Sequence, residues 1–115
     1  MRTILVVDDH IPTLTTLCMI LNANGYRALE AANAEQAQRK FRSNPIDLVI
    51  LDHGLPGVTG SEVAGILKRI RPVQVIMLSG NPDLKAAPVN VDLLLPKPQQ
   101  IPALLAAMQG LFDAA

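Results

Sequence analysis

Tryptophan is absent from this chain, and one tyrosine and two phenylalanines are its only aromatic residues. Stacking platforms for single-stranded nucleic acid need several rings, so none is expected. An excess of positive charge is lacking too, because ten Lys and Arg balance ten Asp and Glu. Without a basic bias nothing draws in a phosphate backbone, and no direct nucleic-acid partner is expected. Cys18 is the single cysteine and cannot form an internal disulfide, which suits a reducing, cytoplasmic compartment. No apolar run reaches membrane-spanning length, so no membrane partner is expected. The opening Met1-Arg-Thr-Ile-Leu-Val-Val7 is too short for a secretory apolar segment and runs straight into Asp8-Asp9.

What is present suits a packed α/β unit. Half of the 115 residues are hydrophobic, enough for one core, and residues 1–115 read as a single domain with no linker, repeat or low-complexity run. Ile4 to Val7 is a β-branched apolar run and predicts a first strand. Pro12 suits a first helical turn, and Leu14, Leu17, Cys18 and Leu21 recur at helical spacing until Gly25. Tyr26 to Glu30 predicts a second strand, less apolar and so near the sheet edge. Asn33 with Gln36 opens a second helix that points Ala34, Ala37 and Phe41 inward. Leu48 to Leu51 predicts a buried third strand. Thr59 and Glu62 form a capping box for a helix carrying Val63, Ile66, Leu67 and Ile70. Val73 to Leu78 predicts a fourth strand and Val91 to Leu95 a fifth. Between them Asn81-Pro82-Asp83 should turn, and Leu84 to Asn90 has room for a turn or two of helix before Pro88. A last helix carries Ile101, Leu104, Leu105, Met108 and Phe112. Strands alternating with helices give a parallel sheet covered on both faces.

That topology gathers chemistry at one edge. Asp8 and Asp9 follow strand one, Asp52 strand three, Ser79 strand four and Lys97 strand five. In open α/β sheets ligands bind beyond the carboxyl ends of the strands. Three carboxylates in one pocket repel one another, and a single lysine cannot neutralise them. A hard divalent cation can, and Mg²⁺ suits a site of one or two carboxylates plus phosphate oxygens, with Mn²⁺ as a substitute. The cation, the Ser79 hydroxyl, the Gly80 backbone N–H and the Lys97 ammonium together suit a phosphoryl group in transfer, with Asp52 as the attacking carboxylate.

Four stretches fall at these strand ends: Val6-Val7-Asp8-Asp9-His10; Asp47-Leu-Val-Ile-Leu-Asp52 with Leu55-Pro56-Gly57 and Gly60; Met77-Leu78-Ser79-Gly80; and Leu95-Pro96-Lys97-Pro98. In this order they resemble the receiver domain of two-component response regulators over essentially the whole chain. The resemblance implies a flavodoxin-like (βα)5 fold with strand order 2-1-3-4-5. It implies that Asp52 accepts a phosphoryl group from a sensor histidine kinase or a histidine phosphotransfer protein. Asp8, Asp9, Asp52 and the Gly54 backbone carbonyl would hold Mg²⁺, and Lys97, Ser79 and Gly80 would bind the phosphoryl group. It further implies a cis peptide at Lys97–Pro98. Two features depart from the family pattern. Leu94 stands where an aromatic is usual, and the stretch from Ser79 to Lys97 is short, so the fourth helix is expected to be short or irregular. No output domain is expected within these residues, and a monomer or weak dimer is expected.

Bland readings compete at each position. Asp8 and Asp9 could cap the first helix, Asp52 could be a turn residue, Lys97 a solvated loop residue and Ser79 a helix cap. His10 and His53 match no common zinc spacing and read as rim residues. An aspartate-nucleophile phosphatase of the haloacid dehalogenase kind would need a second aspartate two residues after Asp52, where Gly54 stands. A flavodoxin-like FMN carrier would want a phosphate loop where the two acids are. A degenerate receiver that only binds protein is the remaining alternative.

Overall fold

In the structure, a computed structural model, residues 1–80, 86–97 and 101–114 are described. The elements run β1 (Thr3–Val7), α1 (Ile11–Ala23), β2 (Arg27–Ala31), α2 (Ala34–Ser43), β3 (Leu48–Asp52), α3 (Gly60–Ile70), β4 (Gln74–Ser79), β5 (Leu93–Pro96) and α4 (Ile101–Ala114). All five strands are parallel, in the order β2-β1-β3-β4-β5. This is the expected flavodoxin-like order.

The central strands are apolar on both sides because both faces are covered. Leu5, Val7, Val49, Leu51, Val75 and Met77 join Ala37, Phe41, Val63 and Leu67 of α2 and α3 in one core layer. Ile4, Val6, Leu48, Ile50, Ile76 and Leu78 join Leu14, Leu21, Leu104 and Met108 of α1 and α4 in the other. The edge strands β2 and β5 are only partly buried, as the weaker apolar character of the second predicted.

Helix starts follow the sequence signals. Asn33 accepts from Gln36 N at 2.8 Å, while the Gln36 side chain reaches back to Ala32 N at 2.8 Å. Thr59 Oγ1 accepts from Glu62 N at 3.0 Å. Helix α1 carries Pro in its first turn and ends before Gly25, whose φ of +88° an L side chain would resist.

All five strands differ from the expected bounds by a residue or two: β1 takes in Thr3 before Ile4, and β3 takes in Asp52 after Leu51. β2 begins at Arg27 rather than Tyr26, because Tyr26 N is used on Leu21 O (3.1 Å) to close α1. β4 runs from Gln74 through Ser79 instead of from Val73 to Leu78. β5 spans Leu93–Pro96, not Val91 to Leu95. The reason for the last is Asp92. Its N–H donates to Val75 O (2.9 Å), but its carboxylate, not its carbonyl, accepts from Val75 N at 2.8 Å and pairs with Lys68 at 2.7 Å. A side chain thus stands in for the first rung, and the strand ladder starts after it. Asn90, at φ +73°, turns the chain just before.

No helix occurs among residues 86–92, in line with an irregular fourth-helix region. The expected turn at Asn81-Pro82-Asp83 and the peptide Lys97–Pro98 lie outside the described residues. No helix among those described is long and apolar enough to cross a membrane.

Candidate functional site: an acidic cluster at the carboxyl edge of the sheet

Register assembles the site. Val7 pairs with Leu51, so the next residues along, Asp8 and Asp52, leave the sheet side by side. Asp52 pairs with Leu78, and Ser79 with Pro96. Lys97 N continues the ladder onto Ser79 O at 2.8 Å. Carboxylate oxygens of Asp8, Asp9 and Asp52 lie within 4.8 Å of one another. The Lys97 ammonium forms an ion pair with Asp52 Oδ1.

Burial makes this arrangement tense. Asp8 is buried, and the Asp52 side chain is only 11 % exposed. Burial pushes the Asp8 carboxyl above the ordinary carboxylate range, and the charges of Asp52 and Asp9 push it the same way. The His10 N–H, donating to Asp8 Oδ1 at 2.9 Å, and the charge of Lys97 pull it back in part. A hard cation relieves what one ammonium cannot, so the donor set fits Mg²⁺ chemically.

The bland readings find little support. The N-cap residue of α1 is His10, whose own side chain makes no cap hydrogen bond. Asp8 takes the His10 N–H with one carboxylate oxygen, yet it also stands in the acidic cluster with Asp9 and Asp52, so a role at the helix start does not exhaust it. Lys97 is held on Asp52 rather than extended into solvent. Gly54 lies beside Asp52: a side chain built there would come 3.8 Å from Asp52 Oδ2. Gly80 lies beside Lys97, its own built Cβ being 4.0 Å from Lys97 Cβ. Ser79 is buried at the end of β4. His10 reaches Thr13 Oγ1 with Nδ1 (2.6 Å), and among the described residues the cluster comprises Asp8, Asp9 and Asp52 without either histidine.

Two features were not read from the sequence. An apolar groove of about 560 Å³ runs between α1 and α4 and opens onto Lys97, lined among others by Thr16, Leu17, Ile20 and Ile101. The available signal was that α1 carries no charged residue. Gly60 sits in close contact with Met77 and near the Asp52 carbonyl, and the signal was a glycine where a helix would favour alanine.

The likeness to known proteins extends over the whole arrangement. A family profile described as "Response regulator receiver domain" matches residues 4–109. The phosphate regulon transcriptional regulatory protein PhoB of Pseudomonas aeruginosa is 35% identical over 104 residues, covering 84% of this chain and 45% of that protein. The transcriptional regulatory protein KdpE of Mycobacterium tuberculosis is 33% identical over 114 residues, covering 96% of this chain and 50% of that protein. The chain thus spans about half the length of the curated relatives it matches. Among solved structures, response regulator TrrA of Thermotoga maritima in complex with Mg(2+)-BeF superposes with a TM-score of 0.84 at 34% identity, over 96% of this chain and 99% of that one. A receiver domain from Clostridium thermocellum gives a TM-score of 0.90 at 29% identity, over 99% and 96%. With the sheet order, the acid cluster at its edge and these matches in agreement, the chain belongs to the family of response regulator receiver domains.

Proposed function

We propose that this receiver accepts a phosphoryl group on Asp52 from the phosphohistidine of a sensor histidine kinase or a phosphotransfer protein. The observation that carries the reading is the Asp8–Asp9–Asp52 cluster with Lys97 already seated on Asp52. In the transfer an Asp52 carboxylate oxygen forms the new P–O bond. The P–N bond to the donor imidazole breaks, and its electron pair returns to that ring. Asp8, Asp9, Asp52 and the Gly54 backbone carbonyl would hold Mg²⁺, or Mn²⁺ in its place. When bound, the cation neutralises the carboxylates and the oxygens of the incoming group. Lys97 moves its charge from Asp52 to the phosphoryl oxygens, and Ser79 and Gly80 donate hydrogen bonds to them.

Residues 1–115 act in this reading as one cytoplasmic signalling unit, a monomer or weak dimer, with no direct contact to nucleic acid. Its only chemistry is its own phosphorylation and the hydrolysis that reverses it. Incubation with acetyl phosphate and MgCl₂ is expected to add one phosphoryl mass to the intact protein. Asp52→Asn should abolish the adduct, as should chelation of the metal. An adduct that persists in Asp52→Asn, or none in the wild type, would refute the assignment.

A further inference from the structure

Gly60 is the first residue of α3, and its backbone conformation is one that any residue adopts. Alanine is the better helix former, so conformation does not explain the glycine. Space does. A Cβ there would overlap Met77 Cε and come 3.7 Å from both Met77 Sδ and the Asp52 carbonyl oxygen. Met77 is fully buried, so its tip has no solvent to retreat into. It belongs to the layer formed with Leu51, Val63, Ala64 and Leu67.

This contact closes a turn. Residues 53–59 leave β3 directly after Asp52 and end at Gly60. At the start, His53 N is tied to Leu78 O at 3.0 Å. At the end, the α3 backbone rests on Met77, the residue just before Leu78. The two ends of the turn are therefore fixed to adjacent residues of β4, Leu78 at the start and Met77 at the end. Gly54, beside the Asp52 carboxylate, lies between those ends.

We propose that Gly60 and Met77 are positioning residues for the phosphoryl-accepting site. By letting α3 start close against β4, they set where the 53–59 turn holds Gly54 relative to Asp52. The inference rests on the receiver reading above. Neither residue touches the reacting atoms, and both act through the turn. Displacements well under the size of an atom are enough to weaken a preorganised site.

The test separates placement from stability. Mg²⁺ affinity is measured by calorimetric titration of the intact protein with MgCl₂, phosphoryl uptake from acetyl phosphate by mass, and melting by circular dichroism. Gly60→Ala is expected to weaken Mg²⁺ binding about tenfold and to slow uptake. Met77→Val removes Sδ and Cε, and with Cε the atom that overlaps the new methyl. The double variant Gly60→Ala/Met77→Val should therefore regain near wild-type affinity, while melting below the wild type because of the space left in the core. A purely structural role would make affinity follow melting temperature through the series. Wild-type affinity in Gly60→Ala would overturn the proposal, as would a double variant binding as weakly as Gly60→Ala. Should Gly60→Ala not fold, the double variant decides alone: strong binding at lowered melting supports the proposal, and weak binding overturns it. A wild type that takes up neither Mg²⁺ nor phosphoryl would overturn the receiver reading as well. A functional wild type with an unaffected Gly60→Ala overturns this inference only.

Discussion

Neutralising Asp8 should make the metal-free protein more stable. Asp8 is buried, it shares its pocket with two other carboxylates, and its carboxyl is pushed up chiefly by desolvation. At the 4.8 Å limit that bounds the cluster, two full negative charges repel by about 3.5 kcal/mol at an effective dielectric of about 20 and by about 0.9 kcal/mol in bulk water. The Asp52 side chain is 11 % exposed, which places the pair nearer the first limit. Lys97 attracts both acids and offsets part of this. An asparagine keeps an oxygen for the His10 N–H, so that hydrogen bond survives. Asp8→Asn is therefore expected to stabilise the fold by about 1–3 kcal/mol in EDTA, the repulsion less the lost attraction to Lys97. For a chain of this size that raises melting by about 4–12 °C.

Magnesium should invert the comparison. A ligand at about one hundred times its dissociation constant stabilises the state it binds by about 2.7 kcal/mol. The wild type should gain that increment in MgCl₂, and Asp8→Asn, one carboxylate short, should gain much less. Urea titrations at neutral pH, each with EDTA and with excess MgCl₂, give the four stabilities needed. An Asp8→Asn protein less stable than wild type in EDTA would refute the electrostatic argument. Equal gains from MgCl₂ in both proteins would refute the assignment of Asp8 to the cation.

Cys18 and Arg71 supply further tests. Burial, with a contribution from the charge of Glu30 against that of Lys40, pushes the Cys18 thiol up to about 11. A thiol-exchange reagent at pH 8 should label it only in urea, and labelling as fast as that of the unfolded chain would contradict its burial. Ionisation comes at 9.0 in the unfolded chain and later in the fold, so this thiol should cost stability as pH rises from 9.0 towards 11. Cys18→Ala should lack that alkaline slope, and an identical slope in both proteins would remove Cys18 as its cause. Arg71 stacks over the Phe41 ring at 4.4 Å, and its guanidinium donates to the Phe41 carbonyl and, at 2.8 Å, to the Asn44 carbonyl. Arg71→Met should cost about 1–3 kcal/mol in urea unfolding, because it strands carbonyls at the end of α2. Arg71→Lys should recover little, since one ammonium cannot reproduce the stacked fork, and full recovery would show that charge alone matters.

How much of this was legible in the sequence varies with the physics involved. The central strands could be read because Ile4 to Val7 and Leu48 to Leu51 are continuous apolar runs, which only a sheet covered on both faces buries. The site could be read because a parallel sheet brings all carboxyl ends to one edge, so Asp8, Asp9, Asp52 and Lys97 converge without any knowledge of packing. Boundaries were less legible where a side chain imitates the backbone. Asp92 takes a ladder bond with its carboxylate, and nothing in the run Val91 to Leu95 announces that. The Lys97–Asp52 pair and the fit of Met77 against Gly60 depend on distances between residues far apart in sequence, which periodicity does not encode.

The two kinds of residue should respond to mutation with opposite signs. Arg71, Asn33 and Thr59 satisfy backbone groups that the fold would otherwise strand, so local rules and global structure agree there. At the carboxyl edge they conflict. Three acids are crowded where each alone would favour water, and one of them is buried. A sequence shaped only for stability would not keep Asp8 charged in that place. Truncating frame residues should therefore destabilise the metal-free protein, and neutralising Asp8 should stabilise it while weakening its response to magnesium. If Asp8→Asn and Arg71→Met shifted metal-free stability in the same direction, the cluster would be an ordinary part of the frame. The case for stored electrostatic strain at the site would then be lost, whatever the likeness to other receivers.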